Sequence, residues 1–325
     1  MFIRSKLIGC GHYLPNKILT NDDLSKMVET SDEWIRTRTG ICLRHIADET
    51  ETTSVLAANA VTMALKNAGL TSQDVDLLIV ATVTPDNTTP STAAKISGML
   101  GFGAGTIAFD ISAACSGFVY ALTLADNMIR LGQVKTAVIV GAECLSRIVD
   151  WTDRNTCVLF GDGAGAAVLQ ASVGNGTAED TGVLSTCLYA DGAQFEHLKT
   201  NGGVSSTKTA GFVQMDGKEV FKHAVISLSE AAETAMERAG IDKSQINWLV
   251  PHQANIRIIE SVGERLELTK EKVVVAVDHH GNTSAASIPL AISENIESGR
   301  FHAGDVLVLT AMGAGFTWGG AVIRL

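Results

Sequence analysis

An internal repeat constrains the fold of this chain more than any other feature of its sequence. The segment ALKNAGLTSQDVDLLIVATV begins at Ala64, and the similar segment AMERAGIDKSQINWLVPHQ begins at Ala235, 171 residues later. GQVKTAVIVGAE at Gly132 likewise returns 172 residues later as GDVLVLTAMGAG at Gly304. The first pair indicates a helix that ends at Ala-Gly, a polar turn and a buried strand. We therefore expect two fused halves of similar architecture, which 325 residues are long enough to form.

Each half is predicted to be of the α/β class. The apolar runs LLIVAT, TAVIVGAE, VVVAV and VLVLTA suit strands that are covered on both faces, and helical segments alternate with them. Mixed sheets sandwiched between helices follow from this alternation. We predict that the chain divides into residues 1–172 and 173–325, within a loop-like stretch that contains Gly, Asn and Asp. Two irregular segments, 29–44 and 191–209, are expected to form excursions from the two halves.

Composition excludes several classes of function. The formal net charge of -10 argues against a nucleic-acid-binding protein, which would carry a basic surface. No apolar run approaches the length of about 18 residues that a membrane span needs, and the N-terminal stretch lacks the features of a secretory signal. The six cysteines include no C-x-x-C pair, so we expect no zinc site. A cytoplasmic protein with reduced thiols is the prediction.

Cys115 is the first candidate for chemistry. It follows the predicted strand IAFDIS and precedes a helix expected to begin near Gly117, and its neighbours are small. The positive end of a helix dipole lowers the pKa of a thiol, which favours the nucleophilic thiolate. Small neighbours would let a thioester approach the sulfur. The alternative is a buried structural cysteine, because free cysteines are among the most buried residues.

His252 and Asn282 are further candidates because of their places in the repeat. His252 ends the repeat strand of the second half, in LVPHQAN, where α/β folds bind ligands. Asn282 lies in HGNTSAAS, in the turn that corresponds to the Cys115 turn. The alternative for His252 is a hydrogen-bonded structural histidine, and the alternative for Asn282 is a residue that only stabilises a Gly-Asn turn. His279 and His280, in the same loop as Asn282, are rivals for the catalytic role.

Three glycine-rich stretches are candidates for binding loops. GDGAGA at 161–166 has the spacing of a dinucleotide loop, but AAVLQAS after it indicates a strand rather than the required helix. GFGAGT at 101–106 fails in the same way, so structural turns are expected at both places. MGAGFTWGG at 312–320 follows the last repeat strand. Its N–H groups suit an anion, and its small residues equally suit a tight turn.

Several motifs together resemble the β-ketoacyl-acyl carrier protein synthase III family over nearly the whole chain. They are TSDEWIRTRTGI, DISAACSGF, FGDGAGAAVL, WLVPHQAN, HGNTSAAS and GFTWG. The resemblance implies a thiolase-like fold, in which two similar halves form a five-layered αβαβα sandwich, usually as a homodimer. A Cys-His-Asn set, here Cys115, His252 and Asn282, resembles the initiating type of condensing enzyme rather than the Cys-His-His or Cys-His-Glu types.

The same resemblance implies substrates and roles. Cys115 would take an acyl group from acyl-CoA, and His252 and Asn282 would stabilise the enolate formed when malonyl-acyl carrier protein loses CO₂. No metal or redox cofactor is implied. The backbone N–H groups of Cys115 and Ala314 would form the oxyanion hole. The remaining implied contacts are Trp34, Arg38 and Arg154 for CoA, Gln253, Ala254, Asn255, Ile256, Arg257 and Lys222 for the carrier protein, and Thr89 as a gate of the acyl pocket.

The chain departs from the family pattern at a few positions. Glu264-Arg265 stands where some members have two basic residues, and Ala314 stands between two glycines where the family often has a third. Thr89 replaces a phenylalanine that narrows the acyl pocket in some relatives. Three other functions stay open at this level: a condensing enzyme of specialised metabolism, a non-catalytic partner subunit and a cysteine hydrolase.

Overall fold

The computed structural model describes residues 2–325, which form two main sheets and ten helices. The strands are β1 (Phe2–Tyr13), β2 (Ile18–Thr20), β3 (Leu43–His45), β4 (Leu77–Ala81), β5 (Ile107–Ile111), β6 (Thr136–Cys144), β7 (Asp162–Gly174), β8 (Gly182–Ala190), β9 (Leu198–Thr200), β10 (Val213–Met215), β11 (Trp248–Pro251), β12 (Val306–Gly313) and β13 (Thr317–Arg324). The helices are α1 (Asn21–Leu24), α2 (Asp32–Thr39), α3 (Thr53–Ala68), α4 (Thr92–Leu100), α5 (Gly117–Arg130), α6 (Arg154–Cys157), α7 (Gly217–Ala239), α8 (Ile256–Arg265), α9 (Val277–His280) and α10 (Ser287–Glu297).

The two main sheets repeat one strand order. The first sheet runs β1-β7-β6-β4-β5, and the second runs β8-β13-β12-β11. In both sheets the first three neighbouring pairs are antiparallel, antiparallel and parallel. The counterpart of β5 is reduced to a short parallel bridge between Leu249 and Val273. The repeat seen in the sequence is therefore a structural repeat, and the prediction of two similar α/β halves is confirmed.

Helices cover both sheets and separate them. α3 and α4 pack on the outer face of the first sheet, and α7 packs on the outer face of the second with α8 beside it. α5 and α10 lie between the sheets, and α5 contacts strands of both. Phe118 and Leu122 of α5 share one buried apolar cluster with Leu77 of the first sheet and Leu307 of the second. The predicted five-layered thiolase-like sandwich is confirmed. Within residues 2–325, no helix combines the length and apolar character that crossing a bilayer requires.

The link between the sheets is held by one carboxylate. β7 ends at Gly174 and β8 begins at Gly182. Between them, Asp180 accepts hydrogen bonds from the backbone N–H groups of Asn175 and Gly176 and from Arg4 at 3.0 Å. The division of the chain into residues 1–172 and 173–325 stays a prediction.

Close packing at Gly141 joins the two halves and gives a stability prediction. A Cβ added at Gly141 in β6 would overlap the backbone carbonyl of Ala285, just beyond the Asn282 turn. Because overpacking a buried contact costs about 1–3 kcal/mol or more, Gly141→Ala is expected to lower the free energy of unfolding by at least that amount in urea. Gly98→Ala is the control, since Gly98 lies in α4 with open space around it and an added methyl there favours the helix. Equal urea midpoints for the two variants would contradict the prediction.

Candidate active site

One cavity of about 1690 Å³ collects the three predicted catalytic side chains. Cys115 lines it from the turn after β5, His252 from the end of β11, and Asn282 from the turn before α10. The turns before α5 and α10 occupy equivalent positions in the repeat and share an unusual backbone. Ala114 has φ 45° and Ser284 has φ 50°, both in the left-handed region that side chains other than glycine rarely adopt. Two strained turns from the two halves thus face one space.

The backbone of Cys115 is held by close contacts. A short 3₁₀ turn, Ala114–Ser116, contains Cys115 and leads directly into α5 at Gly117. Gly313, at the end of β12, lies so close to the Cys115 nitrogen that a Cβ at Gly313 would overlap it. Thr317 Oγ1 lies 3.1 Å from the carbonyls of both Ala113 and Ala314, which ties the β12–β13 turn to the Cys115 turn. The backbones of Cys115 and Ala314, the predicted oxyanion hole, therefore border the same end of the cavity.

The surroundings of Cys115 raise its pKa, whereas its place before a helix was expected to lower it. Burial raises the pKa of Cys115 to about 12, the Ser284 hydroxyl acts to lower it, and the Glu143 carboxylate raises it further. The position at the start of α5 does not overcome this, because desolvation of a charged sulfur outweighs the favourable interaction with a helix end.

His252 is held as a neutral imidazole of defined orientation. Its ring nitrogen Nδ1 lies 2.7 Å from Ser287 Oγ, and that oxygen also accepts the backbone N–H of Gln253 at 3.3 Å. In the tautomer that carries its proton on Nε2, the Ser287 hydroxyl donates to Nδ1. Burial lowers the pKa of His252 to about 4, so the ring is uncharged at neutral pH. A neutral Nε2–H donor is thus available to a ligand in the cavity.

Asn282 is oriented by its own turn. Its side-chain oxygen accepts the backbone N–H of Ser284 at 2.9 Å. Its backbone N–H donates to Leu159, and its carbonyl accepts the N–H of Gly161 at 3.0 Å. Gly161 therefore supports the Asn282 turn through its backbone. The glycine-rich stretch that begins at Gly161 has the spacing of a dinucleotide loop, but strand β7 follows it, as predicted. Because the Asn282 oxygen is occupied, the amide NH₂ is the group left to donate toward the cavity.

Comparisons with known proteins agree with this geometry. The family model 3-Oxoacyl-[acyl-carrier-protein (ACP)] synthase III matches residues 109–192, and its C-terminal model matches residues 236–325. Proteins named Beta-ketoacyl-[acyl-carrier-protein] synthase III from Rhodospirillum centenum and Paramagnetospirillum magneticum are 56% and 55% identical, over 100% of both chains in each case. The chain belongs to the β-ketoacyl-[acyl-carrier-protein] synthase III family. The crystal structure of the Aquifex aeolicus synthase III superposes with a TM-score of 0.93 at 47% identity, covering 99% of this chain and 100% of that one.

The residues that the synthase III resemblance assigns to CoA lie at the mouth of the cavity. The guanidinium of Arg38 lies 4.9 Å from the centre of the Trp34 ring, and that of Arg154 lies 4.8 Å from it. Trp34 and Arg38 line the cavity, while Arg154 also donates to the backbone carbonyl of Glu29. Two guanidinium groups therefore already lie over the Trp34 ring.

Gln253, one of the residues assigned to the carrier protein, is placed differently from the sequence-based prediction. Its side chain is fully buried, donates to the carbonyls of Pro251 and Val274 and accepts the N–H of Ala276 at 2.7 Å. A docked protein cannot contact a side chain enclosed in this way, so the assignment of Gln253 to carrier binding is wrong for its side chain. The hydrogen bonds of the Gln253 side chain link the end of the His252 strand to the segment before α9.

The other residues assigned to the carrier protein lie at or near the surface. Arg257 is exposed and stacks 5.3 Å from the centre of the Phe221 ring. Asn255 caps α8 by accepting the backbone N–H of Arg257, and Ala254 and Ile256 beside it are half-buried. Lys222 is exposed, 3.6 Å from Glu219. Arg257, Asn255 and Ala254 also line the cavity, so this surface and the cavity entrance are continuous.

The rivals His279 and His280 are engaged elsewhere. His280 is fully buried with its Nε2 2.8 Å from Glu294, and His279 lies 2.8 Å from Asp278 and 3.3 Å from Glu294. The hydrogen bonds to Asp278 and Glu294 raise the pKa of His279 to about 9. His279, His280 and Glu294 form the one group among residues 2–325 with the spacing for a metal ion, and their mutual hydrogen bonds already use those atoms. Neither histidine is among the described residues that line the cavity.

Sequence reasoning missed several residues of the site. Ser287 bonds to His252, and Ser284 donates to the buried Glu143 carboxylate; only the two serines lie in one of the family motifs, HGNTSAAS. Glu143 could have been found as a charged residue at the end of the otherwise apolar run TAVIVGAE. The 191–209 segment was expected to be a surface excursion, but Phe195, Leu198 and Val204 from it line the cavity.

Proposed function

We propose that the protein joins an acyl-CoA primer to malonyl-acyl carrier protein by decarboxylative Claisen condensation, releasing CO₂ and CoA and initiating fatty-acid synthesis. One observation carries the proposal: a thiol, a neutral imidazole N–H and a carboxamide from separate turns line a single cavity. A thiol suits acyl transfer, and two uncharged donors suit an enolate oxygen. Acetyl-CoA is the proposed primer.

The first half-reaction loads the thiol. Cys115 sulfur attacks the thioester carbon of acyl-CoA, while the backbone N–H groups of Cys115 and Ala314 stabilise the oxyanion. The carbon–sulfur bond to CoA breaks, CoA leaves as its thiol with the proton that Cys115 loses, and Cys115 carries the acyl group. Trp34, Arg38 and Arg154 at the cavity mouth hold the nucleotide part of CoA, where planar and cationic side chains suit a base and phosphates.

The second half-reaction forms the carbon–carbon bond. The malonyl thioester oxygen accepts hydrogen bonds from His252 Nε2–H and the Asn282 amide, which stabilise the enolate as CO₂ departs. Both donors are uncharged and stay so at neutral pH, so neither gives a full proton to the enolate and quenches it. The carbanion attacks the acyl group on Cys115, and a β-ketoacyl-acyl carrier protein leaves.

Carrier dependence tests this function against its rivals. Purified protein is given acetyl-CoA with either malonyl-acyl carrier protein or malonyl-CoA, and the products are identified by mass spectrometry. The proposed function requires a β-ketoacyl product that forms far faster with the carrier-bound donor. Equal use of malonyl-CoA would favour a specialised acyltransferase, and free acetate without a malonyl donor would indicate a cysteine hydrolase. No turnover at all would favour a non-catalytic subunit.

Arg257 is proposed to attract the carrier protein. It is exposed beside the cavity entrance, whereas Lys222 lies near the opposite charge of Glu219. Acidic carrier surfaces are drawn to such a cation. Arg257→Ala is expected to raise KM for malonyl-acyl carrier protein about tenfold with kcat nearly unchanged, because a charged contact at an interface rim is worth about 1.4 kcal/mol or less. Acylation by acetyl-CoA is the internal control, and equal losses in both reactions would contradict a carrier-specific role.

We propose that the protein is a homodimer joined along β5, with Thr89 near the acyl pocket of the neighbouring copy. β5 is an edge strand, Ile107 on it is 43% exposed, and Phe109 and Ile111 line the cavity. An apolar strand edge of this kind is normally covered. Thr89 is exposed, and the adjacent Thr88 lines the cavity.

A small gate residue at Thr89 should admit primers longer than acetyl. Thr89→Phe is expected to lower kcat/KM for isobutyryl- and octanoyl-CoA about tenfold or more relative to acetyl-CoA, because a larger side chain narrows the pocket. Parallel assays on the unchanged protein and the variant measure the ratio, and sedimentation equilibrium establishes the dimer. Strict acetyl preference in the unchanged protein would contradict the gate proposal.

A further inference from the structure

A charged side chain is fully buried against the backbone of the Asn282 turn. Arg44, the middle residue of β3, has no exposed surface. Its Cβ lies beside two glycines of this region, because a Cβ added at Gly161 or at Gly281 would come within 3.0 Å of it. Burial lowers the pKa of Arg44 to about 10, so the guanidinium is still charged at neutral pH. Taking such a charge out of water costs free energy, which calls for a compensating role.

The guanidinium of Arg44 joins three separate segments through uncharged acceptors. Its Nη1 donates to the Leu19 carbonyl at 3.1 Å and to Asn21 Oδ1 at 2.9 Å, and its Nη2 donates to the Val158 carbonyl at 2.8 Å. A carboxylate partner would compensate more fully for the loss of water, because its hydrogen bonds are stronger. Stability alone therefore does not explain this charge. Its planar fork of donors does fix the geometry of the three segments at one point.

One of these segments holds Asn282. The carbonyl that follows Val158, that of Leu159, accepts the backbone N–H of Asn282 at 2.8 Å, and Gly161 donates its N–H to the Asn282 carbonyl at 3.0 Å. Val158, Leu159 and Asn282 all line the cavity. Arg44 is thus bonded to the 158–161 segment one residue away from the hydrogen bond that holds the Asn282 N–H.

Asn21 fixes the opposite side of the guanidinium. Its side chain is buried, and its Nδ2 donates to Asp32 Oδ1 and to the Ile41 carbonyl, at 2.8 Å in each case. Asp32 is the first residue of α2, and Ile41 follows the end of that helix. The Arg44 guanidinium is therefore held between α2 and the 158–161 segment. A side chain whose position is locked by its own hydrogen bonds is suited to position a neighbouring group.

We propose that Arg44 is a positioning residue for condensation: by holding the Val158 carbonyl, it fixes the place from which the Asn282 amide donates to the enolate. This inference rests on the proposed function, in which Asn282 serves condensation and the backbone oxyanion hole serves acylation. A displacement of a reacting or donor group by about 1 Å can slow a reaction about 10²-fold. A small shift of the Asn282 turn should therefore slow one half-reaction and leave the other almost unchanged, which a general role in folding would not do.

Arg44→Met tests this separation, because methionine fills much of the same space but donates no hydrogen bond. Single-turnover condensation by protein already acylated on Cys115 should fall about tenfold or more, while acylation at saturating acetyl-CoA stays within about twofold. Arg44→Lys keeps the charge without the fork of donors and should restore only part of the condensation rate. Arg4→Met is the matched control. Arg4 is also a buried arginine that donates to backbone carbonyls, but at the link between β7 and β8, so both rates should be unchanged.

A double-mutant cycle shows whether Arg44 acts through Asn282. In protein that already carries Asn282→Ala, Arg44→Met should slow condensation by less than about twofold, because the amide that Arg44 positions is no longer there. A role in folding alone would add its full effect to that of Asn282→Ala. Full additivity of the two changes, or equal losses in acylation and condensation for Arg44→Met, overturns the inference.

Hydrogen exchange followed by mass spectrometry examines the turn without any substrate. In Arg44→Met the backbone amides of Gly161 and Asn282 should exchange about tenfold faster or more than in the unchanged protein, with the amides of β12 as the reference for global unfolding. If Arg44→Met does not fold, Arg44→Lys is measured in the same way. Unchanged exchange at Gly161 and Asn282 overturns the inference. Unchanged condensation by Asn282→Ala would instead overturn the enolate role in the proposed function, and the exchange rates would still decide whether Arg44 holds the turn.

Discussion

Cys115→Ala is expected to abolish condensation, lowering kcat by about 10⁴-fold or more, and to leave no acyl adduct on the protein after incubation with acetyl-CoA. The side chain removed is the thiol in the turn between β5 and α5, where the backbones of Cys115 and Ala314 line the cavity. Without a covalent intermediate, the acyl group and the carbanion must meet in one step. Mass spectrometry of the intact protein and the rate of β-ketoacyl product formation measure the two consequences.

Cys10→Ala is the matched control for this variant. Cys10 is buried in β1, and burial raises its pKa to about 12, as it does for Cys115. It lies away from the cavity, so full activity and a normal adduct are expected, with a modest loss of stability from the missing sulfur. An adduct of the same yield in Cys115→Ala, or a comparable loss of activity in Cys10→Ala, would remove Cys115 from the mechanism.

Asn282→Asp and His252→Ala are expected to separate the two half-reactions. Each removes one donor to the enolate, so condensation should slow by about 10²–10³-fold, as when one donor of an oxyanion hole is lost. Asn282→Asp keeps the size of the side chain, but a carboxylate accepts rather than donates and adds negative charge where the enolate forms. Acylation of Cys115 by acetyl-CoA should stay within about tenfold of the unchanged rate, because the backbone oxyanion hole serves that step.

The pH dependence of condensation gives a further expectation for His252. Its pKa is lowered to about 4 by burial, so the folded ring is neutral above about pH 5 and does not change charge in the assay range. Single-turnover condensation by pre-acylated protein should therefore show no inflection attributable to His252 between about pH 6 and pH 9. An inflection near pH 6.5 that disappears in His252→Ala would mean that the ring titrates like an exposed histidine. Equal losses in acylation and condensation for Asn282→Asp would contradict the separation of roles.

Much of the fold could be predicted because the same local hydrophobic patterns occur in both halves of the sequence. The Ala64 and Ala235 segments carry the same order of helix, turn and apolar strand, and the structure forms β4 and β11 from them at equivalent positions. Apolar runs in TAVIVGAE and VLVLTA indicated strands covered on both faces, and β6 and β12 are fully buried. Such patterns reflect which face of an element meets water, and this is decided over a few residues.

The site was only partly predictable, because its properties sum contributions from atoms far apart in the chain. The place of Cys115 before a helix predicted a lowered pKa, but burial raises that pKa, and the carboxylate of Glu143 on β6 raises it further. Gln253 lies in a motif suited to a protein contact, yet its side chain is buried and bonds to Pro251 beside it and to the segment of Val274 and Ala276.

The sequence by itself determined that two related α/β halves would fold together and that a cysteine, a histidine and an asparagine would stand in turns at the ends of their strands. Only the tertiary structure decided that these turns face one cavity, that burial raises the pKa of the thiol and lowers the pKa of the imidazole, and that Ser284 of the Asn282 turn donates to the buried Glu143 carboxylate. The physical reason is that hydrophobic periodicity is a local property of the chain, whereas desolvation and proton affinity depend on every group that packing brings within a few ångströms.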